Sequence, residues 1–139
     1  MNQKLAKAAM ADRRYKPEAF EYIFNAVIKI VGEAEKERES AGLSPAHRHI
    51  CGQELCRGLA AMLVKDFGVM AIDVLKFWGL GCTADFGNVV YDLIAVKLLS
   101  ASPDDSIDDF NEVYSFADAF IPPPADKSRL MPLPPVTLL

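Results

Sequence analysis

Between Val69 and Leu99 the chain reads VMAIDVLKFWGLGCTADFGNVVYDLIAVKLL: two apolar runs held apart by Gly79, Leu80 and Gly81. Apolar runs of helical length on either side of a glycine-rich turn favour two helices folded back on one another. The first run, from Val69 to Trp78, is apolar nearly all round and is expected in the middle of a core. It carries the single tryptophan. The second, from Thr83, has Phe86, Val89, Val90, Leu93 and Ile94 as its buried stripe. Thr83 is its expected N-cap, and Asp85 lies in the first turn, where a negative charge is favoured.

Two further helices precede this stretch. One begins at Pro17, a residue suited to a first helical position because it lacks the N–H left unpaired there. Phe20, Ile23, Phe24, Val27, Ile30 and Val31 form its stripe, and a polar extension, EAEKERES, carries it toward Gly42. The other spans about Gly52 to Phe67, with Leu55, Leu59, Met62, Leu63 and Phe67 inward and Gly68 as terminator. After the fourth helix, Leu98 to Ser102 and Val113 to Phe116 read as strands joined through an acidic turn. The expected fold class is therefore mainly α (α+β): a four-helix, winged-helix-like single domain over 17–120 with a small two-stranded β ribbon. Residues 1–16 are expected as a basic flexible arm and 121–139 as a proline-rich extended tail.

Charge decides what such a domain would do. Residues 1–16 hold Lys4, Lys7, Arg13, Arg14 and Lys16 against Asp12; residues 83–120 hold eight acids against Lys97. A winged helix reads DNA with a cationic helix, because phosphate neutralisation carries most of the affinity. Here that helix has Asp85 and Asp92 and no internal base, so nucleic-acid binding is disfavoured. It stays as the alternative through the basic arm.

Other constellations are short. His47, His49, Cys51 and Cys56 have zinc-ligand chemistry but not the usual two-loop spacing. Cys56 is more simply a small core residue. Glu54 and His49 form a conceivable acid–base pair, with helix capping as the simpler role for Glu54. Asp104, Asp105, Asp108, Asp109 and Glu112 make an acidic turn without calcium-loop spacing. Arg129, Pro132 and Pro135 fit a basic residue followed by P-x-x-P, a polyproline-groove pattern. Three cysteines, an odd count, favour reduced thiols. The N-terminus has no apolar run of signal-peptide length, and Asp73, Lys76, Asp85 and Asp92 break the apolar stretches elsewhere. A cytoplasmic protein is expected, with no membrane span.

Five segments taken together resemble a known family: Arg48-His49-Ile50-Cys51-Gly52-Gln53-Glu54-Leu55, Phe67-Gly68-Val69-Met70-Ala71, Leu75-Lys76-Phe77-Trp78-Gly79, Thr83-Ala84-Asp85-Phe86-Gly87-Asn88-Val89-Val90, and Asp108-Asp109-Phe110 with Tyr114 and Phe116. The set is similar to a family of small proteins of planctomycete and verrucomicrobial bacteria and covers roughly 17–121. The resemblance implies a bacterial cytoplasmic protein and transfers no activity. The family's R-H-x-x-G-x-E-L segment does not require cysteine at Cys51 or Cys56, which counts against zinc there. The proline-rich tail is a departure from the family.

The resulting expectation is a non-enzymatic protein-interaction or scaffolding module. It would bind a protein partner through the acidic turn, the exposed edge of the fourth helix or the tail. No cofactor is expected, and a homo-oligomer is compatible. A small metal-dependent enzyme around His47, His49 and Glu54 is the third reading.

Overall fold

A computed structural model describes residues 2–42 and 50–120. Among these residues there are five helices of two turns or more: α1 Gln3–Ala11, α2 Pro17–Ser40, α3 Gly52–Phe67, α4 Ala71–Trp78 and α5 Thr83–Ala95. Gly68–Met70 and Ile107–Phe110 are 3-10 turns, and a single-turn α6, Phe116–Ala119, closes the described chain.

The core is an all-helix assembly in which α2, α3 and α5 each touch most of the other elements. Phe20 and Ile23 from α2, Leu59 and Leu63 from α3, and Phe86, Val89 and Leu93 from α5 are almost fully buried. These are the inward positions that helical spacing assigns, and close packing of such side chains is the main favourable term of folding. Pro17 does open α2, and α3 has the expected bounds. Gly68 ends α3 at φ +53°, ψ −128°, a region essentially reserved for glycine.

The expected ribbon is not formed: among the described residues there is no strand, so the winged-helix reading is overturned. Local hydrogen bonding is the reason. Lys97 takes a left-handed conformation at the exit of α5. The Leu98 N–H then folds back onto the Leu93 carbonyl at 3.0 Å. Asp105 accepts from the Ser102 N–H and Asp109 from the Ser106 N–H, turning the backbone where a strand would run straight. The Val113 N–H is donated to Thr83 Oγ1 at 3.1 Å, so it is not offered to a neighbouring strand. The aromatic alternation around Tyr114 and Phe116 serves a ring cluster with Phe86 and Phe120.

Two other expectations are corrected. Residues 3–11, taken as part of a flexible arm, form a helix that buries Leu5, Ala8 and Ala9. Its face is built largely of alanines, which favour helix and let neighbours approach closely while giving little hydrophobic signal. α4 does not run through the middle of the core. Ala71, Leu75 and Trp78 face inward, but Val69, Met70 and Phe77 are exposed. Eight residues give only two turns, and one side of them meets the protein. Trp78 itself is nearly buried against Tyr22 and Phe67, with centroids 5.3 and 5.8 Å away.

The Gly79–Gly81 turn keeps its expected role. Gly79 has φ +90°, and a Cβ there would lie 2.4 Å from the Arg14 carbonyl oxygen, so the segment after α1 closes directly over it. Asp85, one turn into α5, accepts from the Gly81 and Cys82 N–H groups at 2.7 and 3.2 Å. Cys82, rather than Thr83, occupies the N-cap position.

Candidate partner-binding cleft

Where α2, the start of α3, the second half of α5 and the 107–110 turn meet, they leave a cleft of about 600 Å³. Its apolar lining comes from α2 (Val27, Val31), α3 (Leu55) and α5 (Val90, Ile94). Ile28, 53 % exposed, stands at its edge. Glu35, Asp105 and Asp109 supply acidic groups to the rim and Lys97 a base.

The wall formed by the turn is held rigidly. Phe110 is buried against two glycines: a Cβ on Gly87 would come within 2.8 Å of its Cβ and Cγ, and one on Gly52 within 3.0 Å of its ring. Tyr91 meets the same ring edge-on at 6.4 Å. Thr83, 1 % exposed, donates its hydroxyl proton to the Phe110 carbonyl at 2.7 Å. Burial and the nearby Asp105 and Asp109 carboxylates raise the Tyr91 hydroxyl above its usual pKa, so the phenol stays neutral at the cleft.

The sequence-derived candidates separate into three groups. Asp104, Asp105, Asp108, Asp109 and Glu112 do share one surface region around the turn. Asp104, Asp108 and Glu112 are exposed, while Asp105 and Asp109 are half-buried and accept backbone N–H groups. His47, His49, Arg129, Pro132 and Pro135 lie outside the described residues.

Cys51, Cys56 and Glu54 belong to the start of α3. Cys56 is fully buried, and burial pushes its thiol up to about 12. Burial also pushes the Glu54 carboxyl up, but the Cys51 backbone and side chain and the Arg38 guanidinium together bring it below its ordinary value. One Glu54 oxygen accepts from the Cys51 N–H and the other from Arg38. Glu54 thus caps its helix and ties α2 to α3. Among the described residues no group of three histidine, cysteine or acidic side chains is arranged to hold a metal ion. Among them, too, no helix is long and apolar enough to cross a membrane.

Sequence reasoning missed a polar joint on the other side of α5. Tyr15 donates to Asp85 Oδ1 at 2.5 Å and accepts from Asn88 Nδ2 at 2.8 Å. Asp12, 8 % exposed, is gripped by Arg14 through Nε and one terminal nitrogen at 2.9 and 2.8 Å. Beside it lies Asp92, whose Oδ2 is buried with no donor among the neighbouring groups. A proton on Asp92 would give this pair of carboxyls a donor. Burial and then the adjacent Asp12 raise Asp92 to about 7, while the Arg14 guanidinium holds Asp12 well below the carboxylate range. The available signal was an acid in an otherwise apolar helix and a lone acid in a basic segment.

No family model matches this chain, and neither a curated protein nor a solved structure matches it.

Proposed function

We propose that the protein is a non-catalytic interaction module that takes an apolar segment of a protein partner into the cleft between α2, α3 and α5. The observation that carries this reading is the cleft's construction: an apolar lining of Val27, Val31, Leu55, Val90 and Ile94, bordered by Glu35, Asp105 and Asp109. Covering apolar surface supplies affinity, about 25 cal/mol for each Å² removed from water. The acidic rim selects a segment with a cation beside its apolar residues. The wall seated on Gly52 and Gly87 is pre-formed, which reduces the ordering cost of binding.

The test is an amide-resolved NMR titration with a panel of amphipathic peptides carrying a lysine or a glutamate flank. Lysine-flanked peptides are expected to shift resonances of α2, α5 and the 107–110 turn, and glutamate-flanked ones to bind more weakly. Ile28→Asp, at an exposed position, should lower affinity by about tenfold, a 1.4 kcal/mol effect. Indifference to the flank charge and to Ile28→Asp sinks the reading.

A further inference from the structure

A second surface, remote from the cleft lining, has the opposite charge. α1 and the end of α4 enclose an apolar bowl of about 570 Å³. Met10 and Phe77 line it and are 72 % and 65 % exposed, large apolar side chains left facing water. Arg13, Arg14 and Lys16 stand around it, and among the described residues no acidic side chain lines it. Arg14 is shared with Asp12 and Lys16 Nζ rests 5.1 Å from the centroid of the Phe77 ring. Arg13 makes no ion pair among the described residues. Such a bowl fits an apolar knob carried on an acidic surface.

The same chain carries that knob. Ile107 is 40 % exposed at the head of the 3-10 turn. Asp104, Asp108 and Glu112 are exposed along the same segment. We propose that the protein associates head to tail, with the acidic turn around Ile107 of one copy seated in the basic-rimmed bowl of the next.

The fold prevents one molecule from making this contact with itself. Residues 85, 88 and 92 of α5 face the α1 side, through Tyr15 and Asp12. Residues 83, 87 and 91 face the turn, through Phe110. At 3.6 residues per turn these two edges are roughly 130° apart around the helix. Bowl and knob therefore look away from each other and pair only between copies. Such a contact is heterologous: each added copy leaves one bowl and one knob free, so growth continues with concentration. The ionic part of this contact is screened by salt.

Sedimentation velocity on the full chain tests this, with Arg13→Glu/Lys16→Glu spoiling the bowl and Ile107→Lys spoiling the knob. All three positions are exposed, and far-UV circular dichroism verifies that the variants fold. The wild type should gain mass with concentration in low salt and lose it in high salt. Each variant alone should remain monomeric. An equal mixture should recover a dimer that grows no further, because it holds one intact bowl and one intact knob. A wild type that stays monomeric at high-micromolar concentration overturns the proposal. So does continued self-association of either variant, or a mixture that fails to pair. If the monomeric wild type instead binds an added leucine-containing polyglutamate peptide, the bowl serves a different acidic partner and the self-docking inference is discarded.

Discussion

The two edges of α5 are joined to their neighbours by different physics. Toward the 107–110 turn the joint is close packing: Phe110 sits where Gly52 and Gly87 leave no room for a Cβ, with the buried Thr83 hydroxyl satisfying its carbonyl. Toward α1 the joint is polar: Tyr15 bridges Asp85 and Asn88, and the Asp12 and Asp92 carboxyls lie beside Arg14, the first held ionised and the second raised to about 7. The packed joint depends on shape and the polar joint on protonation, so one helix carries a pH-independent attachment and a pH-dependent one.

The largest effect should come from breaking the packed side. Phe110→Ala removes a buried ring from between two glycines that cannot fill the space, at a cost of about 3–5 kcal/mol in urea denaturation. A loss under about 1 kcal/mol would mean that the turn is held by its caps instead.

The polar side is isolated by Asp92→Asn. Asp92 is raised in the folded protein to about 7, above its ordinary carboxylate value, so the native state holds more protons than the unfolded chain between those two points. Stability from this group is present in acid and is lost as pH rises through about 7. Asp12 works in the opposite sense: its contribution is present above the ordinary carboxylate pKa and falls away in strong acid as the Arg14 pair is protonated. The amide variant should therefore match the wild type only in acid below the ordinary carboxylate value, pull ahead as pH rises toward about 7, and exceed it by about 1–2 kcal/mol at about pH 9, a figure discounted for partial solvent screening. Parallel pH–stability curves for the two proteins would exclude a raised Asp92 carboxyl.

The smallest effect tests where the two joints meet the exit of α5. Lys97 holds φ +65° without being glycine. Lys97→Gly should raise stability by about 0.5–1 kcal/mol, seen as a small upward shift of the denaturation midpoint at every pH. A loss would show that the lysine side chain, which reaches the cleft rim, contributes more than its backbone strain costs.

What was legible in the sequence divides along the same line. Helices α2 and α3 follow from apolar spacing and from Pro17 and Gly68, because those signals are local. The glycine turn before α5 is equally local. The ribbon was misread because VYSF alternates like a strand, whereas its amide and rings are claimed by Thr83 and Phe86, about thirty residues away, and by Phe120 one helical turn on. α1 was missed because an alanine face has little hydrophobic contrast. The acidic turn was legible as a cluster. The cleft beside it was not, since it exists only where four separated segments converge. Asp12 and Asp92 are 80 positions apart, and no spacing rule would link them.

The Tyr15 bridge spans 70 residues to Asp85 and 73 to Asn88. This separation orders events in time as well as space. During synthesis α1 is complete long before its partners exist, and closing so long a loop comes after the local helix pairs have formed. α1 has a local partner in α2, but its joint to α5 is expected to close after the local pairs, outside the early folding nucleus. Substitutions at Tyr15 or Asp92 should accordingly change how fast the chain opens while leaving its rate of folding almost untouched.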